Sequence, residues 1–187
     1  MTRRRSLLEA TILIVGVVIL SGHAWGETLE IPVTGLDALT TVDPGVQFTD
    51  AEGITHYRGL VQVATIEGQD EDGVPVTGVG YYVHNINIDL ATGDGDVNSK
   101  LTTQLTYGDL EGDLRGTADM AITGFVAVGS FVYPRGSGAF AGWHMRGSVT
   151  GIFGALLNSW DGVFQIPGGE KAAVEAETWS AVKGLFR

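Results

Sequence analysis

From Ile54 onward, apolar and polar residues alternate with period two in one segment after another. Successive side chains of a strand point to opposite faces, so this period predicts half-buried β-structure. The clearest stretch is residues 109–122. Leu110, Gly112, Leu114, Gly116, Ala118, Met120 and Ile122 fall on one face, opposite Asp109, Glu111, Asp113, Arg115, Thr117 and Asp119. Residues 97–107 alternate likewise, with Val97, Leu101, Leu105 and Tyr107 together. A short loop at Gly108 separates the two segments, which predicts a hairpin. Residues 81–90 group Tyr82, His84, Ile86, Ile88 and Leu90, and residues 55–66 group Tyr57, Val61 and Val63. Residues 125–133 are apolar on both faces up to Pro134, which predicts a strand buried on both sides. Residues 139–153 and 160–166 complete the set.

The connections are short and rich in turn formers: Asp70-Glu71-Asp72-Gly73, Thr92-Gly93-Asp94-Gly95-Asp96 and Arg135-Gly136-Ser137-Gly138. About eight strands joined in this way form a meander. Left open it would expose two unpaired edges, which closure removes. Gly112 and Gly116 on the apolar face suit strongly coiled strands. The expected fold class is all-β, an antiparallel meander of about eight strands closed into a barrel, with a sandwich as the alternative. Residues 54–187 form this barrel domain, and its tail, residues 170–186, reads as a short C-terminal helix. Residues 27–53 read as a lead-in with an edge strand over 28–33, since Pro32 cannot donate to a central ladder.

Residues 1–26 have a different character. Arg3, Arg4 and Arg5 precede an apolar run over residues 10–20, and Ala24-Trp25-Gly26 sets small residues at two positions that a signal peptidase reads. This predicts a secretory signal peptide cleaved before Glu27, and hence a periplasmic or extracellular protein. The run is about half the roughly 20 residues of a membrane-spanning helix, so an uncleaved anchor is the weaker alternative. Thr2-Arg3-Arg4 partly resembles a twin-arginine signal, with Ser6 where a large apolar residue is usual, and the export route stays open.

Loss of that segment makes the charge more extreme. Of 11 basic and 22 acidic residues it removes three arginines and Glu9, leaving 8 basic, 21 acidic and a net charge of −13. Such a surface repels phosphates and anionic lipids, so neither nucleic acid nor stable membrane association after cleavage is expected. The chain has no cysteine, which excludes disulfides, a thiolate nucleophile and cysteine metal ligation.

The segment Gly136-Ser137-Gly138-Ala139-Phe140-Ala141-Gly142, with Gly147 beyond it and Gly129-Ser130-Phe131 before it, resembles a motif of the allene oxide cyclase-like and dirigent-like β-barrel superfamily. The resemblance spans residues 81–164. It implies an eight-stranded antiparallel barrel with an apolar lumen. In that superfamily some members isomerise a fatty-acid epoxide, others orient phenoxy radicals without an oxidising centre, and many bacterial relatives have no known role. The motif consists of glycine and aromatic positions, so it speaks to fold, and no catalytic residue is carried over.

Chemistry-bearing residues are few. His56, His84 and His144 show no helical metal-ligand spacing, so no metal site is expected. Asp94-Gly95-Asp96-Val97-Asn98 begins like a calcium loop, but Ser99 and Leu105 stand where Gly and Glu are required, which leaves an acidic hairpin turn. Nothing marks a nucleophile elbow, a phosphate loop, a dinucleotide fingerprint or a cofactor site. Tyr82 and His84 lie on one apolar face. If that face lines a lumen they are its polar points, and such points orient ligands in apolar pockets; otherwise His84 is a satisfied core histidine. His144 and Arg146 share a face opposite Trp143 and Met145. They either point inward, where they could hold an anionic head group, or lie on the surface. The expected function is an exported module that binds a small apolar ligand. The alternatives are a structural or interaction protein with a packed barrel, or a cofactor-free isomerase or cyclase acting on an oxidised lipid.

Overall fold

A computed structural model describes residues 28–167 of the 187-residue chain. The expected signal peptide, residues 1–26, and the expected C-terminal helix, residues 170–186, lie outside the described residues. The described chain is all β: β1 (Leu29–Asp43), β2 (Val46–Thr49), β3 (Ile54–Asp70), β4 (Pro75–Asp89), β5 (Asp94–Tyr107), β6 (Leu110–Thr123), β7 (Val126–Gly138), β8 (His144–Ile152) and β9 (Leu157–Ile166). Neighbours in sequence from β3 to β9 pair antiparallel, and β1 pairs with both β9 and β3. Eight strands thus close into a barrel, and the short β2 is an extra strand on β3.

Closure by β1 corrects the reading of residues 27–53 as a lead-in. Pro32 signals an edge only locally: it pairs with Val163 of β9, while the ladder to β3 begins one residue later at Val33. The stagger of a closed barrel leaves that flank of Pro32 unpaired, so its missing N–H costs no ladder bond.

Two bulges account for further departures. In β3 the register to β4 shifts between Arg58 and Leu60, at Gly59 with φ 70°. One extra residue exchanges the two faces. Tyr57, Leu60 and Gln62 therefore face inward, and Val61 and Val63 do not share the face of Tyr57. In the β6–β7 ladder the register shifts between Arg115 and Thr117, so Pro134 falls in a bulge and β7 runs on to Gly138 instead of ending. β7 is also buried on one side only. Ala127, Phe131 and Tyr133 face inward, whereas Val126, Val128 and Val132 are exposed.

The interior holds two apolar clusters. The larger fills the end bearing the 70–75, 107–110 and 138–144 turns, where Phe140 and Phe164 are fully buried and Trp143 packs on both (ring centroids 5.1 and 5.7 Å away). The smaller, built on Ile86, Ile88, Val97, Ile122 and Ala127, lies toward the other end. There the turns are tied together. Phe125 has φ 70°, its N–H donates to the Gly93 carbonyl (2.8 Å), and its own carbonyl accepts from Phe153 N–H (2.8 Å). A bulky residue in the left-handed region is uncommon and persists only where its surroundings hold it.

Candidate functional site

The belt between the two clusters is polar. Along β4, His84 stands between Tyr82 of the larger cluster and Ile86 of the smaller; along β5, Ser99 stands between Leu101 and Val97 in the same way. The ladder sets His84 opposite Ser99, and the two side chains join, Nδ1 to Oγ at 2.6 Å. Both are buried. The other imidazole nitrogen, Nε2, is buried and has no hydrogen-bond partner. Burial holds the ring neutral, with its pKa lowered from 6.5 to about 4.

A second polar group sits on β1. Ile31, Val33, Asp37 and Leu39 are inward residues of one alternating face, and Asp37 is buried there with a carboxyl group among apolar neighbours. Tyr82 Oη donates to its Oδ2 (2.8 Å) and Trp160 Nε1 donates to its Oδ1 (2.9 Å). Those bonds favour the anion, but burial outweighs them and raises the Asp37 pKa from 3.8 to about 6. The Tyr82 hydroxyl is pushed upward by its own burial, then by Tyr133 and Asp37 nearby. The Tyr133 hydroxyl pairs with Thr103 Oγ1 (2.9 Å), and burial raises its pKa to about 12.

These groups line one chamber of about 60 Å³, together with Ile66, Met145 and Val149. One water needs roughly 10–15 Å³ on this measure, so the chamber takes a few waters or the head of a small ligand. Above it, toward the Phe125 end, lies a mouth of about 330 Å³ lined by Leu39, Tyr57, Leu60, Ile86, Phe153 and Leu156 among others. His84, Met120 and Asn158 line both spaces. His84 is therefore at the threshold, and among the described residues neither lining contains a lysine or arginine.

Of the four residues that sequence singles out, Tyr82 and His84 come together in this site. His144 and Arg146 do not. Alternation along β8 turns Met145 inward and leaves both exposed, with Arg146 3.5 Å from Glu30 on the outer surface. They face away from the chamber, on the outer side of the wall whose inner side carries Met145, and offer it no cation. His56 also lies apart from the lumen, with Nε2 2.8 Å from Asp50 and Nδ1 2.8 Å from Asn87; the bond to Asp50 raises its pKa. Among the described residues no three His, Cys, Asp or Glu side chains gather as a metal site would need. Asp37, Ser99, Thr103 and Trp160 escape the sequence reading. Ser99 and Thr103 carry a usable signal, since they fall at odd positions on the face of Val97, Leu101 and Leu105. Asp37 is an acid inside an alternating apolar face, hidden where that segment is read as a lead-in.

No family model matches the chain, and no curated protein matches it.

Proposed function

We propose that this protein is an exported barrel that binds a small, largely apolar ligand in its lumen. The observation that carries the reading is the chamber and mouth meeting at His84, an apolar concavity with a few convergent polar groups. The reading takes residues 1–26 as an export signal and residues 170–186 as a short helix. It also places the chain with the allene oxide cyclase-like and dirigent-like barrels, on the 136–142 motif and an eight-stranded closure. Native mass spectrometry of protein purified without detergent, before and after solvent extraction, tests it. A single small adduct released by extraction is expected. A bare chain that also takes up no added apolar compound sinks the proposal.

A second reading, a cofactor-free isomerase or cyclase, is favoured by one observation: an acid and a base both line the chamber, Asp37 and His84. A carboxyl group of pKa about 6 can donate or accept a proton near neutrality, and a neutral imidazole can accept one. If a ligand recovered from the barrel is returned unchanged after prolonged incubation with excess protein, this second reading fails while binding stands.

A further inference from the structure

We propose that the ligand is a neutral aliphatic alcohol, bound hydroxyl-first, with its oxygen on Nε2 of His84 and its chain in the mouth, and that fatty-acid anions are excluded. This deepens the binding reading and rests on it.

The argument begins from satisfied and unsatisfied groups. Both carboxylate oxygens of Asp37 are engaged, by Tyr82 and Trp160; Tyr133 is joined to Thr103, and Ser99 to His84. Among the described residues, His84 Nε2 is the one buried side-chain polar atom without a partner. Native interiors rarely leave such an atom unpaired, so the lumen asks for one ligand polar group at one place. The rest of a ligand meets mostly carbon, with Thr41, Gln62 and Asn158 as the polar exceptions in the mouth.

The chemistry of that group follows from the ring. If Nδ1–H donates to Ser99, Nε2 is an acceptor; if Ser99 donates to Nδ1, Nε2 carries the hydrogen and donates. A hydroxyl answers both tautomers, whereas a carbonyl or ether answers only one. A carboxylate is disfavoured three times over. It would be stripped of water in an apolar chamber, it would share that chamber with Asp37, and among the described residues it would meet no lysine or arginine in either lining. Direction follows from position. His84 lines both the chamber and the mouth, and the mouth beyond it is lined by Tyr57, Leu60, Ile86, Phe153 and Leu156, so the chain points outward.

The test is a calorimetric titration of the full protein at pH 8 with 1-octanol and with octanoate. Alongside it, the imidazole nitrogens are followed by NMR in protein with ¹⁵N-labelled histidine. Octanol is expected to saturate one site, to bind at least ~10-fold more tightly than octanoate, and to shift the Nε2 resonance of His84 but not those of His56 or His144. His84→Leu should weaken octanol about 10-fold, and His84→Gln, whose amide both donates and accepts, should restore most of the loss. Octanoate binding as tightly as octanol overturns the head-group assignment, as does octanol binding with the His84 Nε2 resonance unmoved. Either result leaves the lumen a binding site. Uptake of neither compound overturns the alcohol assignment, and the binding reading falls with it only if native mass spectrometry also finds a bare chain.

Discussion

Two buried ionisable side chains, Asp37 and His84, have opposite effects on the pH dependence of folding. Burial raises Asp37 from 3.8 to about 6. Between those values the folded state holds the proton that the unfolded chain has lost, so this group's contribution to stability is full below pH 3.8 and falls as pH rises toward 6. Burial lowers His84 from 6.5 to about 4. Here the unfolded chain holds the extra proton, so its contribution is full above pH 6.5 and falls as pH drops toward 4. Each shift corresponds to about 3 kcal/mol, and over pH 4–6 the two slopes oppose each other. Urea unfolding at a series of pH values should therefore show Asp37→Asn losing about 2 kcal/mol relative to wild type on going from pH 6.5 to 4. His84→Gln should gain about as much over pH 6 to 4. Parallel curves for all three proteins would mean that neither group is desolvated in solution.

At the scale of elements, glycines set strand shape by two different means, and the difference can be measured. Gly35 and Gly68 face each other across the β1–β3 ladder, and a Cβ on Gly35 would collide with the Trp160 ring and the Glu67 carbonyl. Gly35→Ala must push Trp160 off Asp37, with a loss of about 1–3 kcal/mol in urea unfolding. Gly59 has open space around it but φ 70°, so Gly59→Ala costs only the left-handed backbone, about 1–2 kcal/mol, and leaves the lumen intact. The same contrast explains what the alternation of side chains can tell a reader. Strands β4, β5, β6 and β9 keep a strict period of two, and their inward residues, Tyr82 and His84 included, are legible from spacing alone. Bulges leave no such trace. Gly59 inverts the phase of β3 midway, and Pro134, which looks like a strand end, sits inside the β6–β7 irregularity. Asp37 stays hidden for a third reason: its strand is fixed by pairing with β9 and with β3, contacts far apart along the chain.

For the whole molecule, the distribution of packing decides what the barrel can do. One end is filled by Phe140, Trp143, Phe164 and Tyr107, whose rings stack and tilt on one another. The other keeps an apolar mouth above a polar belt, with the Phe125, Gly93 and Phe153 turns joined by hydrogen bonds around it. A barrel serving only as a rigid structural unit would gain stability by closing both ends. The chamber and mouth are therefore the features on which the functional reading stands. Fluorescence titration with N-phenyl-1-naphthylamine, a neutral apolar probe, tests it most directly when wild type is compared with Ala127→Trp, which fills the mouth from the buried wall of β7. Saturable single-site enhancement in the wild type, lost in a variant that still unfolds cooperatively, is the predicted result. No saturable enhancement in the wild type, or equal binding by both proteins, would contradict a ligand site inside the barrel.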